Sequence, residues 1–232
     1  VFLAKYDATG NAIWAKAATG PAAGNKKKYN VAYGITTDAK GNIYITGLYS
    51  SNFIKFDNIT LSKSDTINKS KDNVFLAKYD NNGNALWAKQ GVGDTTGNSS
   101  SSIVTDALSN VYITGFYNNK TIKFGTTTLT NSGIKNYDMF LTEYDENGNV
   151  LMAKTFGKDS ADVAKVLVID GSGNIYMGGS FASSSIQFGN SSILNNTGRS
   201  SMFITKYVTT TNVNDNKNEN NKIYINPDPE NN

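Results

Sequence analysis

The stretch FLAKYDNNGNALWAKQ, at Phe75–Gln90, decides the fold of this chain. Runs rich in aromatic and aliphatic residues lie on both sides of the polar segment Asp80–Asn84, which contains a glycine. Asp and Asn side chains can cap the backbone two residues on, and Gly adopts a positive φ without steric cost. The stretch therefore predicts a β-hairpin with a type I turn closed by a Gly bulge.

The first half of this hairpin does not alternate between apolar and polar residues. In FLAKY one face carries Phe75, Ala77 and Tyr79, and the other carries Leu76 and Lys78. A half-exposed strand would be polar at every second position, whereas a strand covered on both faces is apolar throughout. We expect a covered strand, with the stem of Lys78 lying along apolar surface.

Close copies of this hairpin recur along the chain. They begin at Phe2, Phe140 and Phe203, so the four starts are 73, 65 and 63 residues apart. The last copy, FITKYV, is truncated. A unit that recurs at such a spacing is the signature of a repeat architecture.

A second type of hairpin recurs in step with the first. Residues 32–38 and 43–49 flank the turn Ala39–Asn42. The last residue of this turn, Asn42, has an equivalent at Asn110, 68 residues later, and another at Asn174, 64 residues after Asn110. A shorter strand pair follows each time, at FIKF, IKF and IQF. Each repeat thus contains four main strands and one accessory hairpin, and no segment has helical periodicity.

Units of four short antiparallel strands predict an all-β fold of the β-propeller class, with blades of about 65 residues. We expect the order GITTD, IYITG, FLAKYD, ALWAK from the inside outward. The chain would then hold about three and a half blades: a half blade at 1–16 and blades at 32–89, 102–154 and 164–208, the last with a poor or absent fourth strand. An N-terminal strand of the intact protein is expected to complete it. Residues 209–221 are predicted to be a polar linker.

Composition excludes several kinds of chemistry. The 232 residues include no Cys and no His, so there is no disulfide, thiol nucleophile, zinc–thiolate site or imidazole base. The net charge of +3 is dispersed, and Lys26–Lys28 is a short loop run, so we expect no nucleic-acid partner.

No apolar run is long enough to span a membrane. Because the chain begins at Val1 within a repeat, we expect that its natural N-terminal part is missing.

The repeat text resembles the SBBP family of bacterial β-propeller repeats. The resemblance covers residues 1–208 and is carried by FLAKYDNNGNALWAKQ, TDAKGNIYITG and IKFGTTTLTNSG. The end of the chain, KIYINPDPENN at 222–232, is similar to the start of the C-terminal sorting domain of Bacteroidetes proteins exported by the type IX secretion system. Together these resemblances imply an exported or cell-surface protein that contacts that secretion machinery through its C-terminal region. The family supplies no catalytic residues.

Several residue patterns invite a chemical role, and a structural role is favoured for each. Six Asp-x-x-(Gly/Ser)-Asn turns offer too few carboxylates for calcium and are interpreted as capped hairpin turns. Trp14, Trp87 and Met152 share one repeat position and are expected to pack between blades rather than to stack on a sugar. The recurring tyrosines Tyr44, Tyr112 and Tyr176 are expected in the core with satisfied hydroxyls. The acids that break the repeat are Glu143, Glu146, Asp159 and Asp162, and no pair among them is marked out for glycoside hydrolysis.

These observations favour a non-catalytic module for ligand binding, adhesion or display, with no metal or cofactor. A glycan or protein ligand is expected at the loops that differ most between copies: Gly20–Tyr29, Ser62–Asp72, Gly91–Ser101 and Thr155–Asp162. Two alternatives stay open, the propeller portion of a secreted polysaccharide-degrading enzyme and a structural spacer. Thr66, Thr95 and Ser160 fit a bacterial O-glycosylation pattern.

Overall fold

The computed structural model describes residues 1–21, 29–63, 72–93, 97–133 and 136–207, together with the backbone of 223–224. These residues form antiparallel β-sheets and contain no helix. The chain begins with a two-stranded sheet, the first hairpin, made of β1 (Phe2–Tyr6) and β2 (Ala12–Ala17).

Three successive units follow the first hairpin. The main strands of the first unit are β3 (Asn30–Thr37), β4 (Ile43–Tyr49), β7 (Asn73–Tyr79) and β8 (Ala85–Gly93). Those of the second unit are β9 (Ser99–Thr105), β10 (Val111–Tyr117), β13 (Asp138–Tyr144) and β14 (Val150–Phe156). The third unit contains β15 (Asp162–Ile169), β16 (Ile175–Phe181) and β19 (Ser201–Tyr207). Within each unit the strands are hydrogen-bonded in chain order, which is the predicted order.

Each unit also contains an accessory hairpin between its second and third main strands. These hairpins are β5 (Phe53–Phe56) with β6 (Ile59–Ser62), β11 (Thr121–Phe124) with β12 (Thr127–Thr130), and β17 (Ser185–Phe188) with β18 (Ser191–Leu194). β11 pairs with β8 of the preceding unit, so that the first unit's sheet has six strands. A bridge between Thr19 and Lys55 ties β5 to the residues after β2 in the same way. The accessory hairpins therefore link neighbouring units.

The core lies between units. One cluster packs Tyr44, Val74 and Leu76 of the first unit against Ile113 and Phe140 of the second. An equivalent cluster joins the second and third units, and a further one joins the first hairpin to the first unit. All seven residues of β7 are buried, which confirms that this strand is covered on both faces.

The third unit has a short fourth strand. β20 (Ile223–Tyr224) pairs antiparallel with β19, with Tyr224 opposite Ile204. It lies where β8 and β14 lie in the earlier units. The predicted strand in KIYINPDPENN is thus present, and the rest of the predicted linker and sorting segment falls outside the described residues.

The six Asp-x-x-(Gly/Ser)-Asn segments are capped turns. In the turn of Phe75–Gln90, the backbone N–H groups of Asn82 and Asn84 donate to Oδ1 of Asp80 at 2.9 and 2.8 Å, and the side-chain amide of Asn84 donates to Oδ2. Gly83 has φ +80°, and its N–H donates to the carbonyl of Asp80. The same bonds recur in the other turns, so their Asp oxygens already accept hydrogen bonds.

One of the six turns holds a serine where the others hold glycine. Ser109 has φ +66°, a left-handed conformation that costs an L-residue about 1 kcal/mol. We expect Ser109→Gly to raise the free energy of unfolding by about 1 kcal/mol, measured by urea denaturation. Gly10→Ser is the matched reverse change. A Cβ added at Gly10 meets no atom within 4 Å, so the expected loss of stability comes only from placing an L-residue at a φ of +89°. A stabilising Gly10→Ser, or a destabilising Ser109→Gly, would contradict this interpretation.

Candidate functional site: a pocket at the innermost strands

The innermost strand of every unit contains a β-bulge at the same position. In β3 the register against β4 passes from Ala32 to Gly34, so Tyr33 is the extra residue. Ser101 is the extra residue of β9, and Lys165 is that of β15. A bulge redirects its side chain and is often found next to functional sites.

A glycine on the facing strand makes each bulge possible. Gly47, Gly115 and Gly179 lie opposite the bulges on β4, β10 and β16. A Cβ at any of the three would lie deep inside van der Waals contact of a backbone carbonyl oxygen on the inner strand. The close backbone approach therefore requires glycine, which explains its recurrence at this repeat position.

The three bulge residues line one cavity of about 420 Å³, a volume within the range of small-ligand sites. Strand β9 lies between β3 and β15 and contacts both, which brings the three units together at this point. Two bonds tie the inner strands to each other, from Oγ1 of Thr105 to the carbonyl of Thr37 at 2.9 Å and from the N–H of Leu167 to Oγ of Ser102 at 3.0 Å. The other lining residues are Tyr29, Leu48, Asp72, Gly97, Asn98, Ser99, Ser100 and Phe116.

Two of the three aromatic residues in the lining are held by specific contacts. The N–H of Tyr29 donates to Oγ of Ser50 at 2.6 Å, and its carbonyl accepts from the N–H of Ser50 at 2.9 Å. Phe116 packs edge-to-face on Tyr137 with ring centroids 5.1 Å apart, and Nζ of Lys165 lies 5.6 Å from the Phe116 centroid. Tyr33 is exposed in the cavity wall. The lining thus combines three aromatic residues, of which the Phe116 ring is packed, with hydroxyl and amide groups.

Asp72 supplies the one carboxylate among these lining residues. It is buried, and burial raises the pKa of its carboxyl group, although the N–H of Gly97 donates to Oδ2 at 3.4 Å. The negative charge of Asp72 in turn raises the pKa of Tyr29. Nδ2 of Asn98 donates to the Asp72 carbonyl at 2.7 Å, which joins two chain segments at the pocket.

Three of the four loops predicted to carry ligand contacts meet at this pocket. Its lining includes Tyr29, Asp72 and Gly97–Ser101, which end the predicted segments Gly20–Tyr29, Ser62–Asp72 and Gly91–Ser101. The central parts of these segments, 22–28, 64–71 and 94–96, lie outside the described residues. No residue of Thr155–Asp162, a segment that the structure describes completely, lines this pocket. Of the three bulge residues, sequence reasoning included Ser101 within a variable loop but missed Tyr33 and Lys165, because an inserted residue differs in type from unit to unit.

The recurring tryptophans pack between units, as predicted. The indole N–H of Trp14 donates to the carbonyl of Asn81 at 3.2 Å, and that of Trp87 donates to the carbonyl of Glu146 at 3.0 Å. Each acceptor lies in a turn of the following unit. Met152, at the same position, packs against the core between the second and third units.

The recurring tyrosines have satisfied hydroxyls, also as predicted. The hydroxyl groups of Tyr44, Tyr112 and Tyr176 contact Oδ2 of Asp38, Asp106 and Asp170, respectively. Tyr112 makes a second bond, to Oε1 of Glu143 at 2.8 Å. Glu143 thereby replaces the cation–π contact that Lys78 makes with Tyr44.

The acids that break the repeat lie outside the inner-strand pocket and have other partners. Glu146 forms an ion pair with Lys40 at the surface, and Asp159 accepts hydrogen bonds from the backbone N–H and hydroxyl of Ser184. Asp162 is buried and accepts from the N–H groups of Ala182 and Ser183. None of these acids lines the inner-strand pocket.

Asp162 instead lies near a second buried acid, Asp138. The two carboxylates flank Gly157, where an added Cβ would meet Oδ1 of Asp138 and Oδ2 of Asp162. Oδ1 of Asp138 is buried and has no hydrogen-bond partner among the described residues. Burial raises the pKa of both carboxyl groups, and the Asp162 charge adds to the effect on Asp138. The equivalent positions hold Asn73 in the first unit and Asn98, just before β9, in the second, so a comparison of the repeats could have identified the acidic pair.

We expect Asp138→Asn to stabilise the protein at neutral pH by about 1 kcal/mol, because it removes a buried, incompletely bonded charge. The pKa of Asp138 is higher in the native state than in the unfolded state, so ionisation of this carboxyl group destabilises the native state. The destabilisation grows as the pH rises from the ordinary carboxyl pKa through the raised one. The stability gained by Asp138→Asn should therefore be largest at pH values above the raised pKa of Asp138 and vanish below the ordinary carboxyl pKa. Thermal unfolding between pH 3 and pH 8, values chosen to bracket the carboxyl range, measures it.

Asp159→Asn is the matched control for this titration. Hydrogen bonds from Ser184 lower the pKa of Asp159, so its contribution has the opposite pH dependence. Because the Asp159 side chain is exposed, Asp159→Asn should not stabilise the protein at neutral pH. A destabilising Asp138→Asn at neutral pH, or a gain that grows toward acid pH, would contradict the assignment.

The O-glycosylation candidates fall in different parts of the chain. Thr66 and Thr95 lie outside the described residues. Ser160 lies in the segment before β15, where its backbone N–H donates to Oγ of Ser183 at 3.0 Å. Lys26–Lys28 also lies outside the described residues.

Comparison with known proteins gives one informative similarity. The chain is 34% identical over 125 residues to an uncharacterized WD repeat-containing protein of Acanthamoeba polyphaga mimivirus. The match covers 53% of this chain and 8% of that protein, so the chain spans a small part of its relative. No family model matches the chain. The antiparallel sheets and this similarity fit a β-propeller-like repeat protein. Within the described ranges no helix has the length and apolar character needed to cross a membrane.

Proposed function

We propose that this chain is a non-catalytic β-propeller module that binds a neutral glycan in the inner-strand pocket. The supporting observation is that the bulge residues of three units, Tyr33, Ser101 and Lys165, line a single cavity with Tyr29 and Phe116. Aromatic faces pack against the apolar face of a sugar ring, while hydroxyl, amide and carboxylate groups bond its hydroxyls. A repeat architecture that presents a different side chain at each bulge suits selective binding.

The propeller assignment rests on three units and the two outer strands of a preceding blade, about three and a half blades in all. Inner strands line the central channel of a propeller, and ligand sites lie at its ends. In such a ring the pocket at β3, β9 and β15 would face the central channel.

We also propose that the protein works outside the cell, at the surface or secreted. The support is the resemblance of residues 1–208 to SBBP repeats and of KIYINPDPENN to a type IX sorting segment. Expression of the complete gene in its native host, followed by fractionation and proteolysis of intact cells, tests this proposal. Protection from external protease together with absence from the medium would overturn it.

Glycan-array screening of the 232-residue chain, followed by calorimetric titration of the best oligosaccharide, tests ligand binding. We expect Tyr33→Ala to weaken binding at least about fivefold, because it removes an aromatic face worth about 1 kcal/mol or more. Ile35→Ala is the matched control: Ile35 is exposed on the same strand but does not line the pocket. Equal affinity of Tyr33→Ala and wild type, or no array signal, would rule out the pocket as a glycan site.

The alternative of a polysaccharide-degrading enzyme makes a different prediction for Asp72. Glycoside hydrolysis uses two carboxyl groups at the scissile bond, and the pocket lining supplies one. Under the binding proposal, a bound oligosaccharide is recovered intact after long incubation. Cleavage that is lost in Asp72→Asn would favour the enzyme.

A further inference from the structure

Two buried carboxylates meet where the second unit contacts the third. Asp138 begins β13 and Asp162 begins β15, and their side chains are 1% and 0% exposed. Both reach toward Gly157: a Cβ added there would lie 2.4 Å from Oδ1 of Asp138 and 3.0 Å from Oδ2 of Asp162. The two oxygens therefore approach one point, which the glycine leaves free of side-chain atoms.

One of these two oxygens has no partner. Oδ2 of Asp138 accepts from the backbone N–H and the hydroxyl of Ser132 at 2.8 and 2.9 Å, but its buried Oδ1 accepts from none of the described residues. Oδ2 of Asp162 accepts from the hydroxyl of Ser183 at 2.6 Å and from the N–H of Lys158 at 3.2 Å. A buried carboxylate oxygen without a donor is costly, and a bound water or ion is the usual explanation.

The described residues supply no positive charge to the acidic pair. No ion pair within the described ranges involves Asp138 or Asp162. The ammonium group of Lys158 points elsewhere, because its Nζ lies 3.4 Å from the hydroxyl oxygens of both Ser184 and Ser185. When both carboxyl groups are ionised, two negative charges are therefore buried together without a protein counter-charge.

The contact between the first and second units has a neutral counterpart of this pair. Asn73 and Asn98 occupy the positions of Asp138 and Asp162 there. Oδ1 of Asn73 also lacks a hydrogen-bond partner in the described part of the chain, so the same oxygen is left unbonded at both contacts. A neutral pair needs only a water molecule to complete its bonds. Contact between units thus requires no acids, and the charge at the later contact needs an explanation beyond folding.

We propose that Asp138 and Asp162 together bind one calcium ion, which fastens the third unit to the second. Two carboxylates balance the charge of a divalent cation, and oxygen ligands select calcium or magnesium over transition metals. The described residues include no group of three acidic side chains that could hold a metal, so neutral oxygens such as the Ser183 hydroxyl, backbone carbonyls and water complete the coordination. Calcium accepts such a mixed, irregular set, whereas magnesium demands near-ideal octahedral geometry.

Calcium titration of the 232-residue chain in chelator-treated buffer tests this site. The midpoint of thermal unfolding of the wild type should rise with calcium concentration, because the ion binds the native state, and equilibrium dialysis should detect one bound ion per chain. Asp138→Asn should show neither effect. Its new amide can donate to Asp162, so the variant should fold, and in calcium-free buffer it should be more stable than the wild type.

Asp159→Asn is the matched control, because it removes an exposed carboxylate from the segment between Gly157 and Asp162. This variant should bind calcium as the wild type does. A wild type whose unfolding midpoint does not change with calcium would overturn the proposal, and so would an equal rise in Asp138→Asn. Stabilisation of the wild type by acid but not by calcium would show that the two carboxyl groups share a proton instead, which also overturns it.

Discussion

Replacing Gly115 by alanine should destabilise the protein by about 3 kcal/mol or more, the largest effect that we expect from a single methyl group. Gly115 lies on β10 opposite the bulge of β9, and an added Cβ would collide with the carbonyl oxygen of Ser99 and with Cα of Ser100. Both obstacles are backbone atoms in a buried sheet, so no rotamer change relieves them. Urea denaturation followed by tryptophan fluorescence measures the loss.

Gly171→Ala is the matched control, because an added Cβ there meets no atom within 4 Å. Its free energy of unfolding should stay within about 0.5 kcal/mol of wild type. Gly115→Ala should also weaken the binding of any ligand that contacts Ser101, because the bulge of β9 would be lost. A cost below about 1 kcal/mol for Gly115→Ala would show that β9 and β10 do not approach each other as described.

The second large effect is expected for Trp87→Ala, at about 3 kcal/mol. The Trp87 ring packs edge-to-face with Tyr44 at 5.9 Å between centroids and lies over Gly148, whose added Cβ would be 3.1 Å from the ring. Its indole N–H donates to the carbonyl of Glu146. The side chain therefore joins the first unit to the second, and its removal leaves a cavity between the two sheets.

Trp87→Met provides the matched comparison, since Met152 occupies the same position between the second and third units. Methionine refills part of the space, so we expect about half the cost of Trp87→Ala. Equal costs for the two variants would mean that volume between the units does not determine stability. A Trp87→Ala protein as stable as wild type would show that these sheets do not pack on each other there.

The local elements could be predicted from sequence because their determinants are local. The polar segment Asp80–Asn84 specifies its turn through hydrogen bonds within five residues. Recurrence of Phe2, Phe75 and Phe140 then fixes which strands are equivalent. The covered character of β7 also follows from its own residues, since both of its faces are apolar.

Pairings that depend on distant residues could not be predicted in this way. The accessory hairpin β11–β12 bonds to β8 of the preceding unit, and nothing within Ile122–Leu129 specifies that edge. The inner strands also begin earlier than expected, at Asn30, Ser99 and Asp162. In β9 the expected start, Ser102, lies directly after the bulge residue Ser101. A bulge shifts the alternation of side chains by one residue, which conceals the strand beyond it from a periodicity argument.

The residues that line the pocket could be predicted from the sequence only in part. The loops that vary between copies end at Tyr29, Asp72 and Ser101, which line the pocket, and their contact with a ligand stays a prediction. Lys165 lies inside a strand and was missed, because its place in the lining follows from the register of β15 against β16, which is visible only in three dimensions.

Thiol cross-linking can show whether the bulges of three successive units converge on one pocket. The chain has no cysteine, so Tyr33→Cys with Ser101→Cys, and Ser101→Cys with Lys165→Cys, introduce the only thiols. With a short bismaleimide, both pairs should cross-link rapidly within the folded monomer, whereas the control pair Thr9→Cys with Ser172→Cys, in separate surface turns, should not. Failure of both inner-strand pairs in a folded protein, or equal cross-linking of the control pair, would contradict the account.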